Sequence, residues 1–343
     1  MNQVIAQAFT AIPNTTEDQP LTERILGWLR VPRWGKLVIW TAIPVLRAVC
    51  VATTLELTGR NPMGWQLGLF LIPEALVYCY AILHAIWGAS KIARDSSGLE
   101  PRLNDLTSVG QEQSPRIFQG MGNTIAPVVI ALVISLSLVV VTVGIETWWT
   151  MLLLLIFNLA IHLPITTLFW TYLMLMFGLN RLGTRHLALE SYGGDKSLGL
   201  LPVGKLAFTG FWVFAANLAP ILLVSLTSFV SLAVGLLIFI VGIIAFFLSL
   251  WRVHEQMGRA RQRQILEAQS LYEQAYEPLK TAHTLETLEQ RSGLLGAAEA
   301  LERRADAIQT WPFSDALLAR IVVIGLSVVT GIIARLVMKP LGL

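Results

Sequence analysis

Charge is what this sequence has least of. Asp, Glu, Lys and Arg make up 14% of its 343 residues, against about 25% in an ordinary soluble domain. A net charge of +3 builds no field suited to a polyanion, so nucleic acid is not expected as a partner. Cysteine is nearly absent. Cys50 and Cys79 both fall inside apolar runs, which excludes a disulfide framework. The five histidines, His84, His162, His186, His254 and His283, lie far apart. Cys79 and His84 are five residues apart and so fall on different faces of a helix. No metal set and no cofactor is expected from them. H-E-x-x-H and G-x-S-x-G are missing, as are paired aspartates of the kind that hold magnesium for a lipid phosphate, and no catalytic constellation is expected.

Two glycine motifs come close to nucleotide signatures. GLLPVGKL at 199–206 has the G-x4-G-K spacing of a phosphate loop, but Leu206 stands where the magnesium-binding hydroxyl belongs and no strand precedes it. It reads as a turn leading into an apolar helix. GMGN at 120–123 completes no dinucleotide fingerprint and reads as the start of a helix.

What the chain has in abundance is apolar sequence, 55% of residues, gathered into runs near or above 20 residues long. Each can cross a hydrocarbon core about 30 Å thick. Seven spans are expected, near 37–57, 65–88, 125–145, 149–178, 206–224, 229–250 and 317–338. The fold class is an all-α, polytopic membrane helix bundle. The fourth run reaches about 45 Å at the helical rise of about 1.5 Å per residue, so it must tilt, kink at Pro164 or project. The first twenty residues lack a basic stretch followed by an apolar one, so the first span is expected to act as its own insertion signal.

Lys and Arg counts set the orientation. The segments before span one and after spans two, four and six hold twenty of them, and the opposite side holds three: Arg60, Arg335 and Lys339. The N-terminus is therefore expected in the cytosol. Arginine outnumbers lysine 19 to 6, a bias of GC-rich prokaryotic genomes that points to an inner, plasma membrane. Residues 1–36 form the cytosolic N-terminus. Within them Leu21, Ile25, Trp28 and Leu29 share one helical face, the pattern of a short helix lying among headgroups. Residues 37–251 form six spans, and 315–343 form the seventh with the C-terminus.

The segment 252–314 differs in kind. Charges are interspersed, and apolar or small residues recur at helical spacing through Ile265, Ala268, Tyr272, Ala275 and Leu279, then from Leu285 through Leu295, Ala298, Leu301 and Ala305 to Ile308. Pro278 ends the first stretch, and Thr284 is a fitting N-cap for the second. Arms 252–277 and 284–310 have nearly equal lengths, so an antiparallel helical hairpin leaves the membrane and returns to it. Trp311 and Phe313 then stand where an aromatic belt belongs.

Ionisable and polar groups inside spans are costly and face the bundle interior. Arg47 and Glu74 lie 14 residues before and 13 after Asn61, the centre of the turn between spans one and two, hence at one depth as an ion pair. Such a pair serves an ion pathway or simply fixes the two helices. Glu56 sits near the end of its span and snorkels. Asn158, His162 and Pro164 on span four, with Asn217 and Pro220 on span five, could open a polar notch. Ser231, Gly235, Gly242, Ala245 and Ser249 form a small-residue seam on span six for close packing against a neighbouring span or a second subunit.

Besides the bilayer itself, the expected partner is another copy of the chain or a cytosolic protein, bound through residues 252–310. A scaffold or signalling role for the hairpin is the first reading. A channel or transporter using the polar groups of spans one, two, four and five is the second, and it lacks the internal repeat such proteins usually carry. A membrane enzyme comes last. The orientation can be checked by single-cysteine labelling from outside the cell in a background without Cys50 and Cys79. Residue 61 should label and residue 269 should not. Labelling at 269 in intact cells would reverse the topology.

Overall fold

The computed structural model describes residues 19–28, 33–57, 66–106, 116–142, 148–185, 187, 189, 196–224, 229–280, 285–313, 316–317, 319–323, 325–327 and 330. These form eight helices and no β-strand: α1 (Leu21–Trp28), α2 (Arg33–Leu57), α3 (Gln66–Asp105), α4 (Ile125–Thr142), α5 (Trp148–Thr184), α6 (Leu201–Val224), α7 (Phe229–Lys280) and α8 (Leu285–Ala307). Further helical residues lie between 316 and 330.

Among the described residues, four helices are long and apolar enough to cross a membrane: Leu71–Asp105, Trp148–Thr184, Leu201–Leu222 and Gly235–Tyr276. The expected first and third spans carry shorter apolar helices, Val38–Thr53 and Ile125–Val139. Much of the seventh lies outside the described residues. Leu76, Val133, Ile156, Ile240 and Leu248 point outward, each more than half exposed except Ile240 at 50%, a surface suited to lipid tails and unsuited to water.

The helices run further than their apolar stretches. α3 extends to Asp105, past Pro101, over 40 residues or about 60 Å. α5 passes through Pro164 without ending and spans 37 residues, about 55 Å. It outlasts its membrane stretch because Leu179 and Leu182 stay fully buried among other parts of the chain. α7 joins the expected sixth span and the first hairpin arm in one 52-residue helix, about 78 Å long, with no break at Arg252. It continues past Pro278 to Lys280, because a proline that close to a helix end removes only one backbone bond. α8 is shorter than expected, since Ile308 to Thr310 leave the helix. Thr284 lies outside the described residues.

α5 is the central element. It packs against α2, α3, α4, α6, α7 and α1. α1 rests on α5 and α3, with Leu21 and Thr22 buried. The main core joins Ile92 of α3, Leu168, Tyr172 and Leu175 of α5, Phe211 and Phe214 of α6, and Phe246 of α7. Tyr172 stacks on Phe214 at 4.6 Å and donates its hydroxyl to the Gly242 carbonyl at 2.7 Å.

Trp311 and Phe313 do not form a belt. Phe313 is 1% exposed and stacks on Phe246 at 5.5 Å. The segment that returns from the hairpin wedges between α6 and α7, and a side chain on Gly204 would collide with the Pro312 carbonyl.

Gly204→Ala should therefore lower the unfolding temperature of the detergent-solubilised protein by several degrees, as overpacking costs about 1–3 kcal/mol. Gly293 and Gly296 in α8 meet nothing within 4 Å, so Gly293→Ala and Gly296→Ala should raise it, by up to about 1 kcal/mol each. An unchanged Gly204→Ala would mean the returning segment is not seated there.

Candidate functional site

Arg47 on α2 lies among apolar neighbours, and its charge requires partners within the protein. The Arg47 guanidinium donates from Nη1 to Glu74 Oε1 on α3 at 2.9 Å and from Nε to Asn158 Oδ1 on α5 at 2.9 Å. Its Cζ also stands 5.5 Å from the centroid of the Tyr78 ring, within reach of a cation–π attraction. The side chains of Arg47 and Glu74 are 19% and 25% exposed. One guanidinium thus fastens three helices, using the spread of its donors as a lysine could not. Near it, the Cys79 thiol donates to the Thr41 carbonyl at 3.4 Å, again joining α3 to α2.

The expected notch residues divide. Asn158 belongs to the Arg47 network and is 5% exposed. His162, one turn later, has Nδ1 2.7 Å from the Asn158 carbonyl and 3.3 Å from Ser135 Oγ on α4. A carbonyl only accepts, so Nδ1 carries the proton. Around Pro164 the hydroxyls of Thr166 and Thr167 donate back to the His162 and Leu163 carbonyls, and Thr166 Oγ1 also reaches the Pro127 carbonyl on α4 at 3.0 Å. Asn217 on α6 is elsewhere. Its Nδ2 donates to the Ala81 carbonyl of α3 at 2.7 Å, two turns along that helix from Glu74. The side chain of Glu56 lies outside the described residues.

The small-residue seam packs inside the chain. A Cβ on Gly235 would meet Leu222, and one on Gly242 would meet Phe214, both on α6. Ser249 Oγ donates to the Phe246 carbonyl at 2.8 Å and lies 3.2 Å from Met176 Sδ on α5. Ala245 is half-buried, and the side chain of Ser231 lies outside the described residues.

A second polar cluster forms where α5 ends, and sequence reasoning missed it. Gln256 of α7 donates from Nε2 to the Gly183 and Arg185 carbonyls, both at 2.7 Å, and accepts from the Leu187 amide at 3.3 Å. It therefore satisfies carbonyls left open at the end of α5. Gly183 permits this approach, since a Cβ there would stand 2.7 Å from Arg252 Cβ. Two residues earlier, His254 Nδ1 lies 2.7 Å from the Thr310 carbonyl and its ring stacks on Trp311 at 4.3 Å. The Gln309 amide donates to the Lys196 carbonyl at 2.8 Å. These bonds fasten both ends of the hairpin to the bundle. The missed signal was a glutamine and a histidine within two turns of the end of an apolar run, where an isolated arm needs neither.

The two glycine motifs are occupied by their own chain. Gly204 faces Pro312, and the Leu201 amide is held by Ser197 Oγ at 3.1 Å. Gly120 has φ of 99°, the left-handed region that suits glycine, and Asn123 Oδ1 accepts the Ile125 amide at 2.9 Å to cap α4. Among the described residues no three His, Cys, Asp or Glu side chains converge on a point where a metal could sit. Compared with protein-family models, with curated proteins and with solved structures, the chain matches none of them.

The Arg47 network defines a mutational cycle. Arg47→Leu or Glu74→Leu alone leaves a charge alone in the bundle, which costs about 3–5 kcal/mol for a buried pair. The double variant should recover part of that loss, with a coupling of about 1 kcal/mol or more in thermal unfolding. Asn158→Leu should cost less than either single charge change, because Arg47 keeps Glu74. Strictly additive losses would mean that each charge is solvated separately.

Proposed function

We propose that the protein is a multi-pass scaffold or signalling component of a prokaryotic inner membrane, with seven spans and a cytosolic N-terminus. The hairpin of α7 and α8 stands on the cytosolic side and binds a protein, either another copy of the chain or a soluble partner. The observation that carries this reading is the side of the hairpin its own packing leaves bare. Ala268, Ala275, Ala298 and Ala305 form the seam between the arms, each no more than 3% exposed. Alanine allows close approach but buries little area, so the two arms gain little from each other at about 25 cal/mol per Å². The larger side chains lie outside the seam. Leu266 is 54% exposed, Leu294 40%, and Tyr272 and Tyr276 stack on one another while 43% and 42% exposed. Exposed aromatic and leucine side chains on a rigid helix pair are the material of protein interfaces.

The clamp at the hairpin's base supports the same reading. An arm bonded to the bundle at Gln256, His254 and Gln309 holds its far end in a set direction, as a docking element needs. Passage of an ion or solute is the second reading, favoured by the charged network within the bundle. It ranks lower because the guanidinium of Arg47 is already engaged by Glu74, Asn158 and Tyr78, whereas a transport site must exchange partners.

Replacing residues 265–302 with a short Gly-Ser linker removes the arms but keeps Gln256, His254, the Arg261–Asp306 pair and the returning segment. The shortened protein should still insert and unfold within a few degrees of the parent. Its detergent-complex mass should fall if copies pair through the arms, or copurifying protein should disappear if a soluble partner binds there. An unchanged mass together with an unchanged set of copurifying proteins would sink the proposal.

A further inference from the structure

A groove of about 190 Å³ opens on one side of the hairpin, lined by Ala268, Gln269, Tyr272, Ala298 and Glu302. Its floor is the alanine seam itself, since Ala268 and Ala298 are 3% and 2% exposed. Tyr272 walls the α7 side and stacks on Tyr276 at 5.6 Å. Glu302 walls the α8 side, exposed and with no hydrogen bond or ion pair to its side chain among the described residues. The arginines next to it are directed elsewhere. Arg303 pairs with Glu299 at 3.1 Å, and Arg304 stands about 200° round α8 from Glu302. Across the seam, Arg261 pairs with Asp306 at 3.0 Å.

We propose that this groove receives an arginine side chain presented by a basic soluble protein. The inference rests on the hairpin being a binding element, and it names the class of partner bound there. The groove's volume equals about six waters at about 30 Å³ each, room for one long side chain. The methylenes of an arginine would lie along the alanine floor, with its planar head against the Glu302 carboxylate. The face of Tyr272 attracts the same cation. The Gln269 carboxamide oxygen can accept a further N–H of the guanidinium, which has five to donate. An apolar side chain in the same place would strip water from Glu302 and return no bond. An acidic or phosphorylated one would be repelled.

Charge over the distal hairpin favours the same occupant. Residues 264–302 hold seven glutamates against two basic residues, Lys280 and Arg291, in a chain whose net charge is +3. That stretch steers a basic protein toward the groove. It also opposes a second copy of the chain as the occupant. Two hairpins standing side by side in one membrane share one polarity, so each acidic level meets its own counterpart.

The test uses the full chain in phosphatidylcholine nanodiscs, whose headgroups carry no net charge. The probe is a fluorescent alanine-based peptide bearing four arginines. Its control carries citrulline, the neutral isostere, at each of those positions. Fluorescence anisotropy should show saturable binding of the arginine peptide and none of the citrulline peptide. Glu302→Gln should weaken binding about five- to tenfold, as loss of a charge-assisted bond does. Tyr272→Ala should weaken it about two- to fivefold through loss of the cation–π contact. Glu267 stands about 140° round α7 from Tyr272. Glu267→Gln removes the same charge from the same stretch and should keep binding within about twofold. All three positions are exposed, so the variants should fold as the parent does. Equal weakening by Glu267→Gln and Glu302→Gln would reduce the effect to diffuse charge and overturn the proposal. So would absence of binding, or a fall in detergent-complex mass in Glu302→Gln, which would give the groove to a second copy. The broader reading of the hairpin fails separately, by its own deletion. A peptide that does not bind, beside a deletion that loses a partner, removes only the arginine.

Discussion

A guanidinium surrounded by hydrocarbon has no water to share its charge with, so the helices around it must stand where its partners are. Arg47 meets that demand with a carboxylate from α3 and an amide from α5, both at 2.9 Å. Moving either helix along its axis by one residue would part at least one of these bonds. The pair does little for stability in itself, because the desolvation of both charges offsets much of their attraction. Its effect is on register: with Arg47 buried, other alignments of α2, α3 and α5 would leave a charge alone and are strongly disfavoured.

α5 carries that alignment to the rest of the molecule. Toward α4 it uses hydroxyl bonds around Pro164, where the missing amide leaves backbone polarity to be satisfied locally. Toward α6 and α7 it uses Tyr172, whose ring stacks on Phe214 and whose hydroxyl reaches the Gly242 carbonyl. Gly242 has no side chain to push Phe214 of α6 away, and Tyr172 stacks on that same ring. Small residues and buried hydroxyls therefore work as a pair here: one brings backbones close, and the other occupies the polar atoms exposed by the approach.

Outside the apolar zone the problem changes from burying charge to holding a long lever. α7 runs unbroken from the bundle into the hairpin, and a helix about 78 Å long would swing freely about its base if nothing braced it. Gln256 and His254 brace it within two turns of the apolar stretch, and the Trp311–Phe313 segment returns to pack against Phe246 and Phe247. The bracing is polar and directional where the core of the bundle is apolar. That difference fixes the angle at which the hairpin leaves.

Helix content, the pairing of Arg47 with Glu74 and the alanine stripes of the hairpin arms were legible in the chain, because each follows from periodicity or from counting residues along a helix. Arg47 and Glu74 could be matched by counting from Asn61. Asn158 could not be joined to them, since nothing in its own neighbourhood says which helix it faces, and it read as part of a notch with Asn217. That grouping separated in three dimensions, with Asn217 bonded to Ala81, about two turns along α3 from Glu74. Pro278 reads as the end of the first arm because proline breaks helices, and Arg252 as the start of a segment of different composition, yet α7 runs through both, supported beyond Arg252 by packing against α8. The sequence by itself determined that long apolar helices would form and that charge would gather at one end of them, since hydrophobic runs and residue counts are properties of the chain alone. Which helix faces which, where Gln256 finds its carbonyls and why Gly204 must lack a side chain were decided by tertiary structure. Those contacts join residues that only the packing of distant segments brings within a few ångströms.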